Sequence, residues 1–173
     1  MRRILVTGAN KGIGLAIVEA ILAEHEDTFV YLGTRDEARG AEAAARLSER
    51  AGFASRLEVL VLDVGSDASV AAARARVETS LGGEKLYGVV NNAGIGTRSG
   101  DFSAVVETNL FGLQRVCDAF IPLLQRQGRI VNVTSASGPI FVAGCSPEMQ
   151  RFFLDPEMPW QRLRAFADDC KQM

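Results

Sequence analysis

Residues 3–25, RILVTGANKGIGLAIVEAILAEH, decide the fold. A short apolar run, RILVT (3–7), feeds a glycine-rich turn, TGANKGIG (7–14). The turn feeds a segment, 12–25, with apolar residues at helical spacing. A strand that turns directly into a helix opens a parallel strand–helix–strand unit. The chain then repeats that alternation. TFVYLGT (28–34), RLEVLVLDV (56–64), LYGVVNN (86–92) and GRIVNVT (128–134) read as further strands. Segments 36–51, 67–81 and 102–125 read as helices.

Strands that are apolar throughout are buried on both faces, so helices must cover each side of a parallel sheet. Right-handed crossovers then predict an α/β fold: a doubly wound parallel sheet of Rossmann type, incomplete, with about five strands in order 3-2-1-4-5. The tail, 136–173, differs, because it carries all but one of the chain's prolines. It reads as a loop, a short helix near 147–154, a break at Asp155-Pro156 and a helix from about 159. The expected organisation is a dinucleotide-binding core over 1–135 and a helical insertion or tail of the same domain over 136–173.

At 173 residues the chain is long enough for one domain with a real core. A net charge of −2 gives no basic surface for nucleic acid. No apolar run reaches the roughly 18–20 residues of a membrane span. The start, MRRILVTGAN, breaks at Gly8 and Asn10 and shows no cleavage site, so it reads as a first strand. Cys117, Cys145 and Cys170 are odd in number and widely spaced, which argues against a disulfide or metal framework and fits the cytoplasm.

The glycine spacing carries chemistry. Gly8 permits the sharp turn off the strand, Gly12 lets backbone approach a pyrophosphate, and Gly14 allows close helix–strand packing. Phosphates would then meet the helix N-terminus, where free N–H groups and the dipole favour anions. A purely structural glycine turn is the alternative. The second strand bears on the nucleotide. A carboxylate near its end would accept from a ribose 2′-hydroxyl, but here LGTRDE brings Arg35 before Asp36. With Lys11 in the turn, the cations suit a 2′-phosphate, hence NADP(H). Asp36 is the residue that argues the other way. Asp63 ends the third strand and could accept from an adenine amino group, and NNAG (91–94) ends the fourth.

TGANKGIG, NNAG, TN (108–109) and GRIVNVTS (128–135), in that order, resemble the short-chain dehydrogenase/reductase family. NKGIGLAIV, TRDEARG and CSPEMQ (145–150) resemble its monomeric NADPH-dependent carbonyl reductase subgroup. The resemblance implies hydride transfer between NADPH and a small-molecule ketone, aldehyde or quinone, by a monomer. It also implies roles for residues. Ser135 matches the serine that positions the carbonyl oxygen, and Asn109 the asparagine that supports a proton-relay water. Gly8, Asn10, Lys11, Gly12, Ile13, Gly14, Arg35, Asp63, Val64 and Asn92 match cofactor-binding positions. Thr134 stands where many members have another serine, and Ser137 is a nearby competitor for Ser135.

One departure matters most: the family's Y-x-x-x-K pair is absent. Tyr31 and Tyr87 lie in strands before Ser135, and Lys171 is the only lysine after it. His25, the only histidine, falls at the far end of the first helix. A carbonyl reduction needs a proton donor, worth about 10²–10⁴ in rate. The first expectation is therefore a reductase presented as a fragment, truncated before that pair. The second is a non-catalytic NADP(H)-binding pseudoenzyme or partner subunit, and a methyltransferase of related fold is a third. Without a sixth strand, RIVNV becomes an exposed edge that a partner could cover. Trp160, Leu163, Phe166 and Ala167 form a helical stripe in the tail. A second departure is the short connection GTRSGDFSAVV (96–106), in the region that normally shapes a substrate pocket.

Overall fold

The computed structural model describes residues 1–96 and 100–171. It divides into two compact units, Met1–Val133 and Thr134–Met173.

The first unit holds one parallel sheet in the order β3-β2-β1-β4-β5. The strands are β1 (Arg2–Val6), β2 (Thr28–Thr34), β3 (Leu57–Val61), β4 (Leu86–Asn91) and β5 (Leu124–Asn132). Helices α1 (Gly12–Glu24), α2 (Glu37–Ser48) and α3 (Asp67–Leu81) make the crossovers. Register pairs Leu5 with Tyr31 and with Val89, so β1 lies between β2 and β4. Alternation along β1 sends Leu5 to one face and Ile4 and Val6 to the other. Leu5 joins Val70, Val77 and Leu81 of α3. Ile4 and Val6 join Val18 and Leu22 of α1 and Ala43 and Leu47 of α2. Each fully buried aliphatic side chain contributes about 1.5–3 kcal/mol, so the two layers hold the sheet from both sides.

The helix expected over 102–125 is interrupted. It runs as α4 (Phe102–Val106), a π-helical turn (Glu107–Phe111) and α5 (Gly112–Phe120). Pro122 lacks an N–H and crowds the preceding turn, so the chain passes through a 3₁₀ turn at Ile121–Leu123 into β5. β5 therefore starts at Leu124 rather than 128, and a register shift takes up the extra residues opposite Leu86–Gly88. Among the described residues β5 is the edge of the sheet, with β4 its only strand neighbour. Ile130 and Val131 on it are 41% and 51% exposed. Within the connection 96–106, residues 97–99 lie outside the described residues.

The second unit contains α6 (Ser137–Ala143), α7 (Pro147–Phe153) and α8 (Trp160–Lys171). Ser146 caps α7, its hydroxyl accepting from the Met149 N–H, and Pro147 takes the first helical position. Phe152 and Phe153 of α7 meet Phe166 of α8 with ring centroids 5.0 and 5.5 Å apart. Phe141 of α6 completes the cluster. α6 occupies what reads from sequence as loop; its register is set by this aromatic contact, which the local pattern does not reveal.

Candidate functional site

All the features expected to bind a nucleotide come from carboxyl ends of strands, and the fold brings them to one cleft of about 400 Å³ in the first unit. Its floor is the glycine turn. Gly8 (φ +63°) and Gly12 (φ +56°) adopt the left-handed conformation that only glycine takes freely. Asn10, Lys11, Ile13 and Gly14 line the same wall. Opposite are Arg35 after β2, then Leu62, Asp63 and Val64 after β3. The segment 92–95 and Thr108 close the remaining side.

The helix that opens into the cleft is treated differently from its neighbours. α2 is capped by the Asp36 carboxylate and α3 by the Ser66 hydroxyl. The N-cap of α1, Lys11, makes no side-chain cap, so the first N–H groups of the helix are left for something else to satisfy. A Cβ on Gly12 would meet nothing within 4 Å, so open space lies directly over the backbone there. Uncapped amides, a positive helix end and bare backbone together form a cradle for an anion.

The charges around it are sorted by hydrogen bonding. Asp36, the residue that argued for a ribose 2′-hydroxyl, accepts from the Arg39 N–H at 3.0 Å and pairs with the Arg39 guanidinium at 3.2 Å. Its carboxylate is committed to α2. Lys11 and Arg35 are exposed and have no ion-pair partner among the described residues. Asp63 is half-buried, and one of its oxygens accepts from the Gly65 N–H at 2.9 Å.

The side-chain NH2 groups of both NNAG asparagines are used inside the protein, while the buried Asn91 Oδ1 finds no hydrogen-bond partner among the described residues. Asn91 donates to Asn132 Oδ1 at 2.9 Å and to the Cys117 sulfur at 3.4 Å, bracing β4 against β5. Asn92 donates to the Thr7 and Gly8 carbonyls at 2.9 and 3.1 Å, tying β4 to the glycine turn. Thr7, which the sequence reading missed, accepts from the N–H groups of Asn92 and Ala93, both at 3.0 Å. Its signal was present as the hydroxyl preceding Gly8, but only folding shows what it meets. Burial pushes the Cys117 thiol pKa up; the Asn91 hydrogen bond works against that rise and Asp118 adds to it.

Asn109 sits in the π-helical turn. Its amide accepts from the Ile95 N–H at 2.8 Å and donates to the Ile95 carbonyl at 2.9 Å. Both side-chain groups therefore pin the 92–95 segment. Arg115, on α5, was also missed. It donates to Asp67 at 2.6 Å and to Glu107, and its Nη1 reaches the Val64 carbonyl at 3.5 Å. Partial burial opposes its charge, but the two carboxylates outweigh that and raise its pKa above the ordinary arginine value.

Ser135 belongs to the second unit. Its hydroxyl donates to Ser137 Oγ and accepts from the Ser137 N–H, both at 3.1 Å, the geometry of a local hydroxyl turn. The tyrosines lie elsewhere. Tyr31 is fully buried, its hydroxyl donating to Ser80 at 2.9 Å and accepting from Arg3 at 3.0 Å. Tyr87 is the second residue of β4, with the Arg2 guanidinium 5.3 Å from its ring centroid. His25 is the C-cap of α1, about 20 Å along the helix from the cleft. Among the described residues lining the cleft there is no tyrosine, histidine or cysteine.

Comparison with known proteins agrees with this geometry. Residues 2–147 match the family described as short chain dehydrogenase. Carbonyl reductase [NADPH] 1 of Rattus norvegicus is 36% identical over 179 residues, covering 97% of this chain. The Homo sapiens protein of the same name is 35% identical over 97% of this chain. This chain spans 62% of the length of each. Menthone neomenthol reductase from Mentha piperita superposes with a TM-score of 0.86 at 28% identity, over 99% of this chain and 73% of that one. NADPH-bound carbonyl reductase from chicken fatty liver gives 0.68 at 29% identity, over 96% and 69%. Among the described residues, no helix is long and apolar enough to cross a membrane.

Proposed function

The chain belongs to the short-chain dehydrogenase family, and from that premise we propose that its cleft binds NADP(H) as part of a carbonyl-reducing enzyme. One observation carries the cofactor choice: Lys11 and Arg35 line the cleft unpaired, while Asp36 is bound to its own helix. The glycine turn and the uncapped start of α1 would hold the pyrophosphate. Lys11 and Arg35 would hold a 2′-phosphate, and Asp63 with Val64 the adenine. The 92–95 segment, fixed by Asn92 and Asn109, would shape the nicotinamide side. NADPH, when bound, supplies the hydride for a ketone, aldehyde or quinone carbon.

The remaining chemistry is a proton. Ser135 is the proposed hydrogen-bond donor that orients the substrate oxygen, but an unassisted serine hydroxyl is far too weak an acid to protonate it. Both ends of the Asn109 side-chain amide are occupied by Ile95, so the proposed support of a proton-relay water by Asn109 does not use that amide. These residues hold no Tyr-x-x-x-Lys pair to act as that proton donor. The alternative is a non-catalytic NADP(H)-binding module or partner subunit. The proposed organisation is a core over 1–135 with a helical insertion over 136–173. The proposed setting is a monomer in the cytoplasm.

The test is equilibrium binding. NADPH should bind at least tenfold more tightly than NADH, and Arg35→Ser should erase most of that difference, since a charge-assisted bond to phosphate is worth about 1.5–3 kcal/mol. Equal affinity for the two cofactors refutes the choice of NADP(H). The 173-residue chain should show negligible ketone reduction; robust turnover refutes the reading that these residues hold no competent proton donor.

A further inference from the structure

We propose that Arg115 is a positioning residue that sets the spacing between the two walls of the nucleotide cleft. This rests on the reading of that cleft as the cofactor site. One wall, Asp63–Val64, ends at the start of α3. The other contains Thr108 and Asn109 in the π-helical turn, with Ile95 held against Asn109. Arg115 joins them. Its guanidinium binds Asp67, in the first turn of α3, and Glu107, the first residue of the π-helical turn. A third nitrogen reaches the Val64 carbonyl at 3.5 Å. The same wall is touched again by α5, where a Cβ on Gly112 would lie 2.8 Å from Val64 Cγ2. The helix thus approaches Val64 as closely as a glycine allows.

A π-helical turn carries one residue more per turn than the α-helix around it, so its place along the helix is not fixed by the backbone ladder alone. Arg115 is two turns beyond Glu107 and brackets the insertion. A planar guanidinium with donors on several edges can hold two carboxylates and a carbonyl at once, which an ammonium cannot. Loss of this clamp frees Asp63–Val64 and the Asn109–Ile95 contact together. Surface ion pairs elsewhere, such as Arg76–Glu58, connect no part of the cleft and serve as the comparison.

The experiment compares the 173-residue chain with its Arg115→Met, Arg115→Lys, Glu107→Gln, Asp67→Asn and Arg76→Met variants. Binding of NADPH and of 2′,5′-ADP is measured by calorimetry, and amide exchange by NMR in the absence of nucleotide. Arg115→Met should raise both dissociation constants about threefold to thirtyfold. Arg115→Lys should recover only part of that loss, and Glu107→Gln added to Arg115→Met should cost little more. Exchange should quicken at Gly65 and Ile95 well beyond any change at Leu5 and Val6. A purely structural ion pair would shift all four amides alike and leave affinity unchanged, as Arg76→Met should. That result overturns the proposal. If Arg115→Met does not fold, the single carboxylate variants decide, through the same local exchange. Failure of the parent chain to bind NADPH would refute the cofactor reading, and the exchange data would still judge the clamp.

Discussion

Two glycines two residues apart in the first turn of α1, Gly12 and Gly14, should fail in opposite ways when replaced by alanine. At Gly14 the added methyl would overlap Asn92 Nδ2 and lie 2.5 Å from the Gly8 carbonyl oxygen. Those are the two ends of one hydrogen bond, so the methyl pushes directly between β4 and the glycine turn. Overpacking costs about 1–3 kcal/mol. Loss of the Asn92 bonds to Thr7 and Gly8 costs about 1 kcal/mol each. The total, about 3–5 kcal/mol, corresponds to a fall in Tm of roughly 6–20 °C for a chain of this size.

At Gly12 the methyl meets nothing in the protein. Only the left-handed backbone, φ +56°, resists it. That costs about 1–2 kcal/mol, a fall in Tm of roughly 2–8 °C. The methyl instead fills the open space over the backbone where pyrophosphate is read to lie, and NADPH affinity should drop at least tenfold, about 1.4 kcal/mol. Differential scanning calorimetry and fluorescence titration of NADPH on the two variants settle the matter. Gly12→Ala that binds within twofold of the parent, or that destabilises as much as Gly14→Ala, refutes the distinction between a packing glycine and a cradle glycine.

Asp36→Ala removes the cap of α2 and should cost about 1 kcal/mol of stability, with NADH affinity unchanged by titration; a selective loss of NADH binding would show the carboxylate reading a ribose after all. Val131→Lys on the exposed edge strand should suppress aggregation, measured by static light scattering during a thermal ramp, because a charged edge resists pairing with another chain. Cys117 should alkylate more slowly than Cys145 at pH 8, since burial raises its pKa and lowers its thiolate fraction; equal rates by mass spectrometry count against that burial. A thiol whose pKa is raised in the folded state contributes stability fully present below its unfolded pKa, and this is lost as pH rises through the folded value.

Much of the fold was legible. The boundaries of β2 and α3 follow from apolar runs ended by turn residues, because β2 is buried on both faces and α3 keeps one buried stripe. The long helix was less so. Its Asn109 and Arg115 find partners outside that helix, at Ile95 and Asp67, and its end depends on Pro122. The cleft was legible as a set of positions, since strand ends in such a sheet converge by topology. The state of each side chain there was not. Asp36 reads from sequence as a candidate ribose ligand and is in fact a helix cap. That the side-chain amides of Asn92 and Asn109 bond to backbone is a fact of the tertiary structure alone.

The sequence by itself determined the strand–helix alternation, the glycine turn, the family and the absence of a tyrosine–lysine pair among these residues. All of these are local patterns or strict identities. Tertiary structure alone decided which polar groups are spent and which stay open to a ligand. The physical reason is distance along the chain. Asn92 meets Thr7 across 85 residues, Arg115 meets Asp67 across 48, and Asn91 meets Asn132 across 41. No local periodicity encodes such pairs; they exist only once the sheet has brought the ends of its strands together.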